Sequence, residues 1–116
     1  MMKVTFDYLD EFERGAKALR KKYPSFENDY DTFLDELEKN PFAGESLGQH
    51  TNKYRMAIAS KGKGKSGGAR VITYNVQQTG SEEFLITLMA IYDKSDIENV
   101  SDAYLKSLVQ QVEANK

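Results

Sequence analysis

The chain has 116 residues, 40% hydrophobic and 29% charged, which suits one modest globular core and is unlike a disordered segment. It has no cysteine, which excludes a disulfide framework and any thiolate metal site. The net charge is only −2, yet residues 47–81 hold no Asp or Glu and six cations, Lys53, Arg55, Lys61, Lys63, Lys65 and Arg70, while residues 7–45 carry most of the acid.

Nothing near the start has an apolar run fit for a signal peptide, and no segment approaches the roughly 18 apolar residues of a membrane span. The expectation is a cytoplasmic protein without membrane contact. Residues 3–6 fit a short first strand. Leu9, Phe12, Ala16, Leu19 and Tyr23 then recur at helical spacing, with acids early and bases late in the stretch, an order that complements a helix dipole. Pro24 breaks this helix and Ser25 is a natural N-cap for the next, whose stripe is Phe26, Tyr30, Phe33 and Leu37. So short a joint predicts an antiparallel helical hairpin.

From Tyr54 the period changes to two. Tyr54, Met56 and Ile58 alternate with Arg55, Ala57 and Ala59, so Tyr54 is expected in the core of a half-buried strand. Residues 69–76, rich in β-branched and aromatic side chains, make another strand, in which the burial of Tyr74 stays open. After a turn at residues 77–82, the almost unbroken apolar run 84–92 reads as a strand buried on both faces, and residues 102–113 as a closing helix with Leu105, Leu108, Val109 and Val112 inward. The order is β-α-α-β-β-β-α: a single α+β domain over residues 1–116, with an antiparallel meander against which the helices pack.

The segment SKGKGKSGGAR, residues 60–70, places four basic residues and four glycines in eleven positions. Gly62, Gly64 and Gly67 spell G-x-G-x-x-G, but a strand is expected to follow where a dinucleotide site needs a helix. A Walker loop ending at Gly64-Lys65-Ser66 would need glycine where Ala59 stands. Two readings survive: a flexible hairpin linker, or a mobile arm of Lys61, Lys63 and Lys65 beside Arg55 and Arg70 on the paired strands, suited to phosphate.

The stretches KKYPSFENDYDTFLDELEKNPFAGESLG, KYRMAIASKGKGKSGGARVITY and LMAIYDKSDIENV resemble the RelE/ParE superfamily of bacterial toxins, nearest to the RelE-like and HigB-like group of type II toxin–antitoxin systems. The resemblance covers nearly the whole chain and implies that family's small α+β fold. It further implies a ribosome-dependent endoribonuclease that cuts messenger RNA through attack of the substrate's own 2′-hydroxyl, without metal or cofactor, and that a cognate antitoxin restrains. By the resemblance, Arg70 matches the strand arginine that would stabilise the phosphate, Arg55 a basic position on the preceding strand, with Lys53 a further candidate. Tyr92 and Lys94 match the C-terminal tyrosine or basic position that would protonate the leaving oxygen. His50, the only histidine, is a candidate RNA contact or proton acceptor, although a lone loop histidine is more often a bystander. Asp93 can accept a proton, but a turn-forming Asp after a strand is the commoner case. The superfamily leaves open a gyrase-poisoning toxin of the ParE type and a non-catalytic nucleic-acid-binding relative.

Overall fold

The computed structural model describes residues 3–62, 64–78, 80, 82–97 and 99–115. In chain order they form β1 (Lys3–Tyr8), α1 (Asp10–Lys22), α2 (Phe26–Lys39), β2 (Glu45–Gly48), β3 (Thr51–Met56), the single turn α3 (Gly64–Gly67), β4 (Ala69–Gln77), β5 (Glu83–Asp93) and α4 (Asp102–Ala114), with a 3-10 turn at Ala59–Lys61. The five strands lie in one sheet in the order β1-β5-β4-β3-β2, where β1 runs parallel to β5 and every other neighbour is antiparallel. The α+β class and the three-strand meander agree with the sequence reading. β2 is an addition to it, hairpinned to β3 through Gln49 and His50, both at positive φ (51° and 68°).

The sheet is covered on both faces. Phe12, Ala16 and Leu19 of α1 and Phe26, Phe33 and Leu37 of α2 meet Tyr54, Met56, Val71, Ile86 and Leu88 on one side. On the other, Leu108 and Val112 of α4 meet Ile72, Tyr74, Met89 and Tyr92. A strand with helices on both faces has no solvent side, which is why β5 shows an apolar run instead of alternation. Leu9, which the helical spacing placed on the α1 stripe, is instead the residue before the helix and packs in the α4-side cluster. Ser25 stands at the N-cap of α2, but its hydroxyl makes no cap bond and donates instead to Asp29 Oδ2 at 2.6 Å. α4 is fastened to α1 by Tyr104, whose hydroxyl donates to Glu11 Oε2 at 2.8 Å.

One irregularity decides which side chains share a face. The register of β4 on β5 pairs Ile72 with Ala90 and Thr73 with Leu88, so Met89 is an extra residue on β5. Before it, Ile86 and Leu88 face the α1–α2 side; after it, Ile91 does. The bulge therefore turns Tyr92 to the α4 side and leaves Asp93 on the helix-hairpin side. Among the described residues, no helix is long and apolar enough to cross a membrane.

Candidate nucleic-acid interface

The described residues of the basic segment between β3 and β4 are folded. Its start is tied to α2: the Ala59 amide donates to Asp29 Oδ2 at 3.0 Å and the Ser60 amide to Ser25 Oγ at 2.9 Å. Its end passes so close to β3 that a Cβ at Gly68 would collide with the Met56 carbonyl oxygen. Between these anchors Gly62 and Gly64 take positive φ (72° and 62°), which glycine adopts without strain. Lys63 lies outside the described residues.

Lys61, expected on a mobile arm, turns inward instead. Its Nζ lies 2.5 Å from Asp93 Oδ1 and 3.1 Å from Ser95 Oγ, and only 7% of its side chain is exposed. The same carboxylate accepts the Tyr23 hydroxyl at 2.5 Å and the Ser95 amide at 2.9 Å, with Lys22 Nζ at 3.5 Å. Burial alone would raise the Asp93 pKa, but hydrogen bonds from Lys61, Tyr23 and Ser95 outweigh it and hold the carboxyl well below the usual carboxylate range. A carboxylate enclosed at the end of β5 needs a counter-ion, and Lys61, passing over the Tyr23 ring, supplies it. Asp93 thus forms a turn and an ion pair. Lys65 is also engaged, with its Nζ 3.1 Å from Glu36 Oε2 on α2, although this pair is half in solvent.

On the α4 side of the sheet the registers align three candidates in one row: Arg55 opposite Arg70, and Arg70 opposite Tyr92. Direct cross-strand neighbours on one face have their Cβ atoms about 5 Å apart. Arg70 is buried, and its guanidinium donates to the carbonyls of Lys65 (3.1 Å), Ser66 (2.9 Å) and Ala69 (3.1 Å), so it holds the α3 turn onto the sheet. Its pKa is lowered, first by burial and then by the like charge of Arg55. Arg55 is exposed and has no ion pair or hydrogen bond among the described residues. Tyr92 is 8% exposed, its hydroxyl finds no hydrogen-bond partner among the described residues, and burial raises its pKa, so it keeps its proton.

Lys53 lies two residues before Arg55 on the same strand face, with Glu45 Oε2 3.4 Å from its Nζ. Lys94 is half-buried at the same end of the sheet, where its amide donates to the Gly68 carbonyl at 3.0 Å. His50 is apart. It sits in the β2–β3 turn with its ring 5.6 Å from that of Tyr74, five residues and about 15 Å along the strand from Arg55. Tyr54 is a core residue as expected, donating its hydroxyl to the Pro41 carbonyl at 2.5 Å and accepting from Asn75 at 2.9 Å, and Tyr74 is buried too.

The arrangement sets one exposed guanidinium, Arg55, beside a buried one and a buried, protonated phenol, with no carboxylate paired to the row among the described residues. Like charges held this close repel, and an oxyanion is the species that relieves them. The sequence pattern paired Arg55 with Arg70, whereas Tyr92 was named for the same site by the resemblance alone, because an unbroken apolar run carries no sign of the bulge at Met89. No protein-family model matches the chain.

Proposed function

We propose that the protein is an RNA-cleaving toxin of the RelE-like kind, acting on messenger RNA at the ribosome and restrained by a cognate antitoxin protein. The observation that carries this reading is the Arg55–Arg70–Tyr92 row, whose positive charge has no carboxylate partner among the described residues. In the proposed step the RNA 2′-hydroxyl attacks the adjacent phosphorus and the bond from phosphorus to O5′ breaks, leaving a cyclic phosphate. Arg55, assisted by Arg70, stabilises the charge gathering on the phosphate oxygens. Lys94, half-buried at this end of the sheet, or Tyr92, whose buried and protonated hydroxyl must first be uncovered, gives the proton that O5′ takes up. The proton of the 2′-hydroxyl passes to solvent water, since His50 is at the far end of β3 and Asp93 is committed on the other face.

A second reading has its own support. Three backbone carbonyls already engage Arg70, which favours a structural guanidinium and hence a non-catalytic RNA-binding relative. Inducible expression of wild type, Arg55→Ala and Arg70→Ala, with transcriptome-wide mapping of new RNA 5′ ends, separates the two. Codon-phased cuts that vanish in Arg55→Ala support the nuclease. Soluble protein without new ends overturns it, and growth arrest in that case points to another target such as gyrase.

A further inference from the structure

β2 stops short of the full length of β3, pairing Glu45 with Lys53 but nothing beyond it, so the edge of β3 at residues 54–56 is uncovered by a strand. A cleft of about 580 Å³ occupies that space, walled by α2, by residues 43–45 and by Lys65. Its floor is apolar: Phe33, Leu37 and Tyr54 reach it from the core. Its wall at Gly44 is bare backbone, and a Cβ there would stand 2.8 Å from the Tyr54 ring.

Three cations and two carboxylates line the rim: Lys53, Arg55 and Lys65 against Glu36 and Glu45. Lys53 lies 3.4 Å from Glu45 and Lys65 3.1 Å from Glu36, so each lysine is matched. Arg55 has no carboxylate partner among the described residues, and it stands where the cleft meets the row with Arg70. A ligand fitting these features combines an anion, to meet Arg55, with an apolar face to cover the cleft floor and polar edges to meet its rim. Asn40, at the C-terminal end of α2, lines the same cleft with a side-chain amide that can both donate and accept. Asn presents donor and acceptor together, as the edge of a nucleobase does.

We propose that this cleft is a nucleobase subsite. Building on the RNA-directed reading above, it takes an unstacked base whose phosphate lies on Arg55, and Asn40 discriminates among bases at that position. Single-stranded RNA is commonly recognised through splayed bases of this kind.

The test is a titration of the protein, followed by backbone amide shifts, with each of the four ribonucleoside 5′-monophosphates and with inorganic phosphate. The nucleotides are expected to shift Asn40 and Gly44, which lie off the arginine strands, as well as Arg55, and one base to bind more tightly than the rest. Phosphate is expected to shift the Arg55 and Arg70 strands alone. Ala43→Phe, a change at an exposed cleft-wall residue, is expected to weaken the nucleotides about tenfold while sparing phosphate, and Asn40→Ala to level the four bases. Identical shifts from nucleotides and phosphate, confined to the arginine strands, would overturn the subsite and leave the RNA-directed reading standing. No shift from any of the five probes would overturn both. Saturable cleft shifts from an acidic peptide, with none from nucleotides, would assign the cleft to a protein segment instead.

Discussion

Lys61 and Arg55 are six positions apart and hold their charges in opposite ways. Lys61 is enclosed, with 7% of its side chain exposed, against a carboxylate of which 1% is exposed, and further acceptors complete its coordination. Arg55 is exposed beside a second arginine and has no partner among the described residues. In the first region every charge is answered within the chain, so its consequence is stability. In the second no described residue answers the charge, so its consequence is attraction for something outside. Sequence composition cannot separate the two, because both cations belong to the same basic, acid-free stretch.

The largest expected effect comes from breaking the enclosed side. Asp93→Ala leaves Lys61 buried without a counter-ion and the Tyr23 hydroxyl without an acceptor, and is expected to cost about 3–5 kcal/mol in urea denaturation. The pH profile checks the cause. Because the Asp93 pKa is depressed on folding, its contribution is present above the unfolded carboxylate value of about 4 and is lost as pH falls below it toward the folded value. Wild type should therefore lose stability below that pH more steeply than Asp93→Ala. Parallel profiles for the two proteins would deny the ion pair this role.

Gly68→Ala attacks the joint between the regions. The added methyl would meet the Met56 carbonyl, so β3 and β4 must separate where Arg55 and Arg70 are paired. The expected cost is about 2–3 kcal/mol, read from the denaturation midpoint. Arg70→Lys is milder. It keeps the charge but lacks the fork that reaches three carbonyls, so a loss of about 2 kcal/mol is expected, with faster hydrogen exchange in residues 64–68. Unchanged exchange there would mean that Arg70 does not hold the α3 turn.

Much of this architecture was legible because it repeats. The stripes Phe12–Ala16–Leu19 and Phe26–Phe33–Leu37 are buried where helical spacing put them, and the alternation at Tyr54–Met56–Ile58 marks the side of β3 that meets them. What was not legible depends on single residues or on distant ones. β2 is four residues, ESLG, too short to show a period, and its turn relies on positive φ at Gln49 and His50, which are uncommon outside glycine. The inward turn of Lys61 requires Asp93, 32 positions away, and no local pattern foretells it. The pairing of Arg55 with Arg70 was within reach because both flank one connection, whereas the place of Tyr92 beside them depends on the bulge at Met89.

Arg55→Ala has the smallest expected effect on stability and sharpens the comparison most. An exposed side chain without a partner among the described residues should change the unfolding free energy by less than about 0.5 kcal/mol. Its effect belongs to binding. If Arg55 and Arg70 each meet one phosphate, the affinity for single-stranded RNA should fall with salt with a logarithmic slope of about −1.4, and Arg55→Ala should halve that slope. Replacement by lysine should restore the slope, since a point charge suffices to release a counter-ion, but should not restore cleavage if the planar fork of Arg55 is what grips the phosphate in the transition state. A slope unaltered by Arg55→Ala would place the phosphates elsewhere, and the unanswered charge at Arg55 would then need a different partner.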